Sequence, residues 1–335
     1  MSDQPLHGRV AVVAGATRGA GRGIARMLGA AGATVYCTGR SVRGRPATEG
    51  RPETIEETAQ MVAAEGGRGI AVRTDHTIES EVARLFARVS DEQGRLDILV
   101  NDIWGGDALT EWGSPFWTLS ISQGQELFER AVHSHIITSR HGAPLMIERN
   151  AGLIVEVTDG DTFGYRGNLL YDLAKNAVIR LAYGMAGDLH AHRVTALAIT
   201  PGFLRSEAVL DSFGVSEANW RDAIDKDPYF AESETPCFVG RAIAALAADP
   251  HVARKSGGLF SSWGLAKEYD FTDLDGRRPD WTTFFRRKVR EILERDAPPD
   301  EMDAFVVRSR LYQAELDPSR AEEAARLRGW LDRQE

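Results

Sequence analysis

Tyr171 and Lys175 are the residues whose types and spacing are best suited to moving a proton. They stand four apart in Tyr171-Asp172-Leu173-Ala174-Lys175, at the head of an apolar pattern continuing through Ala177, Val178, Leu181 and Ala182, so they share one helix face. A phenol ionises near pH 10 and is a poor acid or base at neutrality, but an ammonium beside it favours the phenolate and draws that value down. The pair can exchange a proton with an alcohol or a ketone. On its own the same spacing also describes an amphipathic helix with a solvated lysine, so its meaning depends on the rest of the chain.

Upstream, Val10 to Ala14 reads as a strand running into Gly15-Ala16-Thr17-Arg18-Gly19-Ala20-Gly21-Arg22-Gly23, and an apolar helical pattern follows at once. Gly15, Gly19 and Gly21 at a strand-to-helix turn let backbone approach a pyrophosphate, whose charge the free N–H groups and positive end of the helix can hold. The plainer alternative is a tight turn whose small residues serve packing. A second strand ends in Tyr36-Cys37-Thr38-Gly39-Arg40-Ser41. A carboxylate there would bind the ribose 2′-hydroxyl of NAD, whereas an arginine accommodates a 2′-phosphate. The strand offers Arg40 and no acid, and Arg18 can supply a second cation. NADP is the expected cofactor.

The elements that must position these groups follow from periodicity. Short β-branched runs at Val10–Ala14, Thr34–Cys37, Gly69–Arg73, Leu96–Val100, Leu153–Val157, Val194–Ile199 and Leu259–Ser262 alternate with helix-like stretches. Strands separated by helices require crossovers, which predicts an α/β fold: a Rossmann-like, doubly wound parallel sheet of about seven strands. Longer connections at Val42–Glu53, Trp104–Gln123 and Phe203–Ser233 are where such folds build ligand sites. From Asp280 the chain is strongly charged, with Val289, Ile292, Leu293, Val307, Leu311 and Ala314 spaced as on helix faces. The expected division is a Rossmann-like NADP-binding catalytic domain over 1–279 and a helical C-terminal extension over 280–335, packed on the domain or on another subunit.

Composition bounds the partners. Of 335 residues 43% are hydrophobic and 27% charged, as in a folded soluble chain, and 40 Lys and Arg against 49 Asp and Glu leave a net charge of −9. That balance gives no general attraction to nucleic acid or an anionic membrane. Two cysteines, Cys37 and Cys237, indicate neither a metal site nor a disulfide framework. The polar start from Met1 to Gly8 is unlike a secretory signal, and no apolar run is long enough to cross a membrane, so the expected location is the cytoplasm.

Taken together, residues 7 to 265 resemble the short-chain dehydrogenase/reductase family. The resemblance is carried by Ala14-Gly15-Ala16-Thr17-Arg18-Gly19-Ala20-Gly21, by Asp75 after the third strand and Asn101 after the fourth, by Tyr171 and Lys175, and by Pro201-Gly202 after the sixth. Within the family the chain is similar to the dehydrogenase/reductase member 1 subgroup through Phe116-Trp117, Leu246-Ala247-Ala248-Asp249-Pro250 and the run from Leu265 ending Asp275-Gly276-Arg277-Arg278-Pro279. The resemblance implies an oxidoreductase in which Tyr171 protonates a carbonyl oxygen as a nicotinamide delivers hydride. Lys175 would bind the nicotinamide ribose and lower the Tyr171 pKa. Asp75 would contact adenine, Asn101 would line the cofactor cleft, and the cofactor set would comprise Gly15, Thr17, Arg18, Gly19, Ala20, Gly21, Arg40, Asp75, Asn101, Lys175, Pro201 and Gly202. Family members commonly pair helices into homodimers or homotetramers around a small-molecule site.

The chain departs from the family where catalysis is concerned. A serine expected twelve or thirteen residues before the tyrosine is replaced by Thr158 and Asp159, with Asp159 in the usual position. Unit charges ~4 Å apart interact by ~4 kcal/mol at an effective dielectric near 20, so an ionised Asp159 facing the centre would raise the Tyr171 pKa by roughly 3 units. Either Asp159 turns away and Thr158 supplies the hydroxyl, or Asp159 is held neutral and donates to the substrate oxygen. The first is favoured, since a hydroxyl needs no raised carboxyl pKa. The family asparagine in the helix before the fifth strand is missing: none occurs between Asp102 and Arg149, and His133 and His135 nearby are expected on the helix surface. The usual Asn-Asn-Ala-Gly reads Asn101-Asp102-Ile103-Trp104. Trp104, Trp112, Phe116 and Trp117 are read as an apolar cover over the nicotinamide or, alternatively, as an interface or core cluster.

The leading expectation is an NADP(H)-dependent oxidoreductase interconverting a carbonyl and an alcohol on a small hydrophobic substrate. The alternatives are a non-redox enzyme on the same scaffold, using Asp159 and Tyr171 for elimination or isomerisation, and an NADP-binding regulatory protein with a decayed site.

Overall fold

The strands form where the β-branched runs lie: β1 Val10–Ala14, β2 Thr34–Gly39, β3 Arg68–Arg73, β4 Ile98–Asn101, β5 Gly152–Val157, β6 Val194–Thr200 and β7 Leu259–Ser261. The computed structural model describes residues 4–45, 47–48, 50–160, 165–295, 301–315 and 317–334, without the side chains at 301, 302, 305, 309 and 313. Pro46 and Glu49, in the expected loop from Val42 to Glu53, lie outside the described residues, as do Met1 to Asp3 of the polar start. The seven strands make one parallel sheet in the order β3-β2-β1-β4-β5-β6-β7. β4 starts two residues later than its apolar run because the Asp97 carboxylate accepts the Val10 N–H at 2.8 Å and pairs with Arg9 and Arg95, which caps the edge of the ladder.

Helices cover both faces: α1 Gly19–Ala30, α2 Ile55–Ala64, α3 Glu79–Gln93, α4 Ile121–Phe128, α5 Ser134–Ile147, α6 Leu169–Leu189, α7 Glu207–Phe213, α8 Pro236–Ala248 and α9 Ser262–Glu268. Successive strand residues feed opposite cores, as a period of two requires. Ala11, Val13, Val100, Val155 and Ile199 pack with Ile24 and Leu28 of α1, Val62 of α2 and Ile243 of α8. Val10, Val12, Leu99, Ile154 and Ala196 pack with Leu85 and Val89 of α3 and Ile137 and Met146 of α5. The strand order reverses between β1 and β4, so their carboxyl ends open the crevice where ligands bind in doubly wound sheets.

The charged tail folds as α10 Trp281–Glu294, α11 Glu301–Glu315 and α12 Ala321–Asp332, which share an apolar cluster of their own. Val289, Ile292, Val307 and Ala314 are buried in it, with Leu293 and Leu311 packed alongside. Trp281 ties the tail to the main domain: its ring stacks on Phe203 with centroids 6.1 Å apart, and next to it Thr282 accepts the Trp263 indole N–H at 2.9 Å. No helix among the described residues is long and apolar enough to cross a membrane.

Candidate active site

A cleft of about 1120 Å³ lies over the β1/β4 crevice. Gly15, Thr17, Arg18, Gly19, Ala20, Arg40, Asp75, Thr158, Asp159, Tyr171, Lys175, Pro201 and Gly202 all line it, so most of the residues singled out from the sequence meet in one place. Trp281, Phe285, Arg286 and Arg310 of the tail line it too. Gly21 and Asn101 are absent from the wall.

Tyr171 and Lys175 stand in the first turns of α6, whose start Asn168 caps by accepting the N–H groups of Leu170 and Tyr171 at 3.0 Å each. The Tyr171 hydroxyl donates to Asp159 Oδ2 at 2.7 Å. Asp159 therefore does not turn away, contrary to the sequence expectation. The Thr158 hydroxyl instead donates to the Lys175 carbonyl at 2.7 Å, tying the end of β5 to α6. Both residues follow the last residue of β5, and their separate partners, the α6 backbone for Thr158 and the Tyr171 hydroxyl for Asp159, give them different roles. Burial raises the Tyr171 pKa, and the Asp159 charge and hydrogen bond raise it further, so the phenol stays protonated across the neutral range. Burial lowers the Lys175 pKa against the opposing charges of Asp159 and Asp102. Its ammonium sits 4.1 Å from the Trp104 ring centroid and 5.5 Å from that of Tyr171. Trp104 and Trp112 flank the Tyr171 ring with centroids 5.3 and 5.0 Å away. Phe116 and Trp117, 61% and 74% exposed, meet edge to face and lie off the cleft wall, so only half of the aromatic loop reaches the site.

At the other end, Gly15 adopts φ +93°, and a Cβ there would run into the Asp102 carbonyl, so the turn needs glycine. Gly21 lets α1 approach the same loop, its would-be Cβ meeting the Gly15 carbonyl and the Asp102 carboxylate. Burial pushes Asp102 up to about 7, against the pull of Lys175 and the Gly21 N–H. The Gly19 N–H donates to Glu207 Oε2 of α7 at 2.7 Å, so a carboxylate stands where the α1 terminus would hold a phosphate. The Arg18 guanidinium binds Thr48 Oγ1 at 2.5 Å and Glu53 at 3.4 Å. Burial alone would raise Asp75, but the Thr77 hydroxyl and N–H and the Arg40 charge hold it below the ordinary carboxylate range. The glycine turn, the anion-holding helix start and the volume of the cleft fit a nicotinamide dinucleotide.

Beneath the cleft lies a polar network that the sequence reading missed. Asn101 is fully buried off the cleft wall, donating to Ser139 Oγ at 2.8 Å and Glu156 Oε1 at 2.7 Å. The expectation that Asn101 lines the cleft is corrected by this inward orientation. Glu156 Oε2 lies 2.6 Å from His135 Nδ1, and His135 Nε2 lies 2.9 Å from the Ile103 carbonyl. His133 is exposed as expected, but His135 is buried. A carboxylate within the apolar run Leu153-Ile154-Val155-Glu156-Val157 was the available signal, since a charge inside a buried strand requires a partner. A five-residue π-helical stretch, Glu129–His133, joins α4 to α5 in the region where the family asparagine is missing, and its Arg130 holds the Gly105 carbonyl at 2.8 Å.

The sequence profile of the short chain dehydrogenase family matches residues 9–213. Over 278 residues the chain is 37% identical to dehydrogenase/reductase SDR family member 1 of Mus musculus, covering 82% of this chain and 85% of the mouse protein. A metagenomic short-chain oxidoreductase in complex with NADP superposes with a TM-score of 0.57 at 24% identity, covering 73% of this chain and 93% of that one. A 7α-hydroxysteroid dehydrogenase complexed with NADH and 7-oxo glycochenodeoxycholic acid superposes with a TM-score of 0.62 at 23% identity, covering 78% and 95%. At these identities the two structures speak to the fold alone, and their cofactors differ. The chain belongs to the short-chain dehydrogenase/reductase family, whose oxidoreductases use a nicotinamide cofactor, and within it groups with the member 1 subgroup.

Proposed function

We propose that this short-chain dehydrogenase is an NADP(H)-dependent oxidoreductase that interconverts a carbonyl and an alcohol on a small apolar substrate, with Tyr171 passing the proton and Asp159 as its second station. The observation that carries the reading is the 2.7 Å hydrogen bond from Tyr171 to Asp159 beside the Lys175 ammonium. With its pKa raised, Tyr171 does not serve as a standing phenolate. In the oxidative direction the alcohol proton passes to Tyr171 Oη as the tyrosine's own proton passes to Asp159 Oδ2, and in reduction both protons move back. The nicotinamide, when bound, supplies or accepts the hydride. Lys175 orients the ribose and balances the carboxylate charge, and Trp104 and Trp112 keep water from the phenol. Trp104, Trp112, Phe203 and Trp281 support an apolar substrate.

Arg40 on the cleft wall and the absence of an acid at the end of β2 support NADP over NAD. A charge-assisted hydrogen bond contributes ~1.5 to 3 kcal/mol, so Arg40→Ala should weaken NADPH by roughly 10- to 150-fold while leaving NADH nearly unchanged; equal losses for both would sink the assignment. Exposed Ile136 on α5 and Leu173 and Tyr183 on α6 support helix pairing in a homodimer or homotetramer. Two buried free cysteines suit the cytoplasm.

The same Tyr171 and Asp159 pair is an acid/base couple without any hydride transfer, which keeps the non-redox reading as the alternative. The deciding experiment offers the protein apolar aldehydes and ketones with deuterium-labelled NADPH. Label appearing at the carbinol carbon is the expected result, whereas conversion of substrate with the cofactor unchanged would establish the non-redox chemistry.

A further inference from the structure

We propose that His135 and Glu156 share one proton and, through the Ile103 carbonyl, position the segment that follows β4 against Lys175; the proposal rests on the reading of the cleft given above. The count of hydrogens follows from the geometry. The Ile103 carbonyl can only accept, so His135 Nε2, 2.9 Å away, carries a hydrogen. Nδ1 and Glu156 Oε2, 2.6 Å apart, must hold one hydrogen between them, and the pair is neutral as a whole whichever atom carries it. Glu156 Oε1 accepts from Asn101 at 2.7 Å and Ser139 at 3.3 Å, so both oxygens of this fully buried carboxylate are satisfied.

The other end of this chain of bonds reaches the site. Ile103 lies between Asp102, whose charge acts on Lys175, and Trp104, whose ring carries the Lys175 ammonium and packs on Tyr171. Fixing the Ile103 carbonyl fixes both neighbours. His135 and Glu156 do not line the cleft, so they are positioning residues that act through this segment.

Two variants separate positioning from mere structural support. Glu156→Gln keeps every bond, since its amide can donate to Nδ1 and its carbonyl can accept from Asn101 and Ser139, and it keeps the pair neutral. The double variant His135→Phe with Glu156→Leu removes the anchor without stranding a buried charge, an exchange that folded proteins commonly tolerate. The measurements are the melting temperature, binding of NADPH and of 2′-phospho-ADP-ribose, which lacks the nicotinamide, and steady-state kinetics. We expect Glu156→Gln to match the wild type. The folded double variant should bind 2′-phospho-ADP-ribose normally, bind NADPH more weakly, and lose roughly 10- to 100-fold in kcat, the usual consequence of misplaced reacting groups. A folded double variant with unchanged NADPH binding and kcat would overturn the proposal, as would a Glu156→Gln protein as impaired as the double variant. A wild-type protein that binds neither nucleotide would instead remove the reading of the cleft, and the proposal with it.

Discussion

At Tyr171 burial and the Asp159 carboxylate favour the phenol while the Arg166 charge favours the phenolate, and the balance falls to the phenol. A proton relay tolerates that balance because no free phenolate has to form. Asp159→Asn breaks the relay, since an amide cannot take up the proton, and it also withdraws the anion that holds the phenol protonated. Alcohol oxidation at pH 7 should then fall by ~10²-fold or more and recover as pH rises, because Tyr171 must now ionise and does so more readily without the carboxylate. A variant with the wild-type pH–rate profile would refute the relay. Tyr171→Phe should remove most turnover, ~10²- to 10⁴-fold, with NADPH binding intact in a fluorescence titration. Tyr171 and Lys175 were legible because helical spacing fixes a shared face. The orientation of Asp159 was not legible, since it depends on how the chain turns after β5, where the Thr158 hydroxyl bonds to the α6 backbone.

The glycine turn joins two elements that sequence spacing cannot relate, α1 and α7, which lie 188 residues apart at the Gly19 to Glu207 hydrogen bond. Arg22 of α1 adds an ion pair to Glu207 at 3.7 Å. A dinucleotide phosphate drawn to the same helix terminus must displace this carboxylate. An anion at a helix start contributes ~0.3 to 1 kcal/mol, so Glu207→Gln should bind NADPH roughly 2- to 5-fold more tightly; equal or weaker binding would show that Glu207 does not compete. The seven strands were readable, because parallel strands buried on both faces are near-continuous apolar runs. α5 was misread at His135 because it turns Ser134, His135, Thr138 and Ser139 inward, and a polar inner face carries no hydrophobic periodicity. The apolar spacing of the tail, by contrast, marked its buried face correctly at Val289, Ile292, Val307 and Ala314.

For the whole molecule, buried carboxyl groups set how stability responds to pH. Burial alone would raise Asp97 and Glu53, but Arg95 and the Val10 N–H hold Asp97, and Arg51 and Arg18 hold Glu53, below the ordinary range. The unfolded chain binds more protons at these groups, so their stabilisation is lost as pH falls below about 4. Glu234 does the opposite. It is buried between the end of β6 and α9, and burial pushes it up to about 8 although Ser262 and the Gly202 N–H bond its Oε2 at 2.6 and 2.9 Å. Its Oε1 has no hydrogen-bond partner among the described residues. Asp102 is raised in the same sense, to about 7. Here the folded state binds the extra proton, so this contribution is complete below about pH 4 and is lost as pH rises through 7 and 8. The melting temperature should therefore peak near about pH 5 and decline toward pH 8. Glu234→Gln keeps an oxygen for Ser262 and Gly202 and removes the charge, so it should melt close to the wild type at pH 5. By pH 8 it should be more stable by about 2 to 4 kcal/mol, a gap of roughly 3 to 6 °C for a chain of this length. The check is a pair of melting curves across pH 4 to 9, and curves that run parallel would mean that Glu234 takes up its charge without cost.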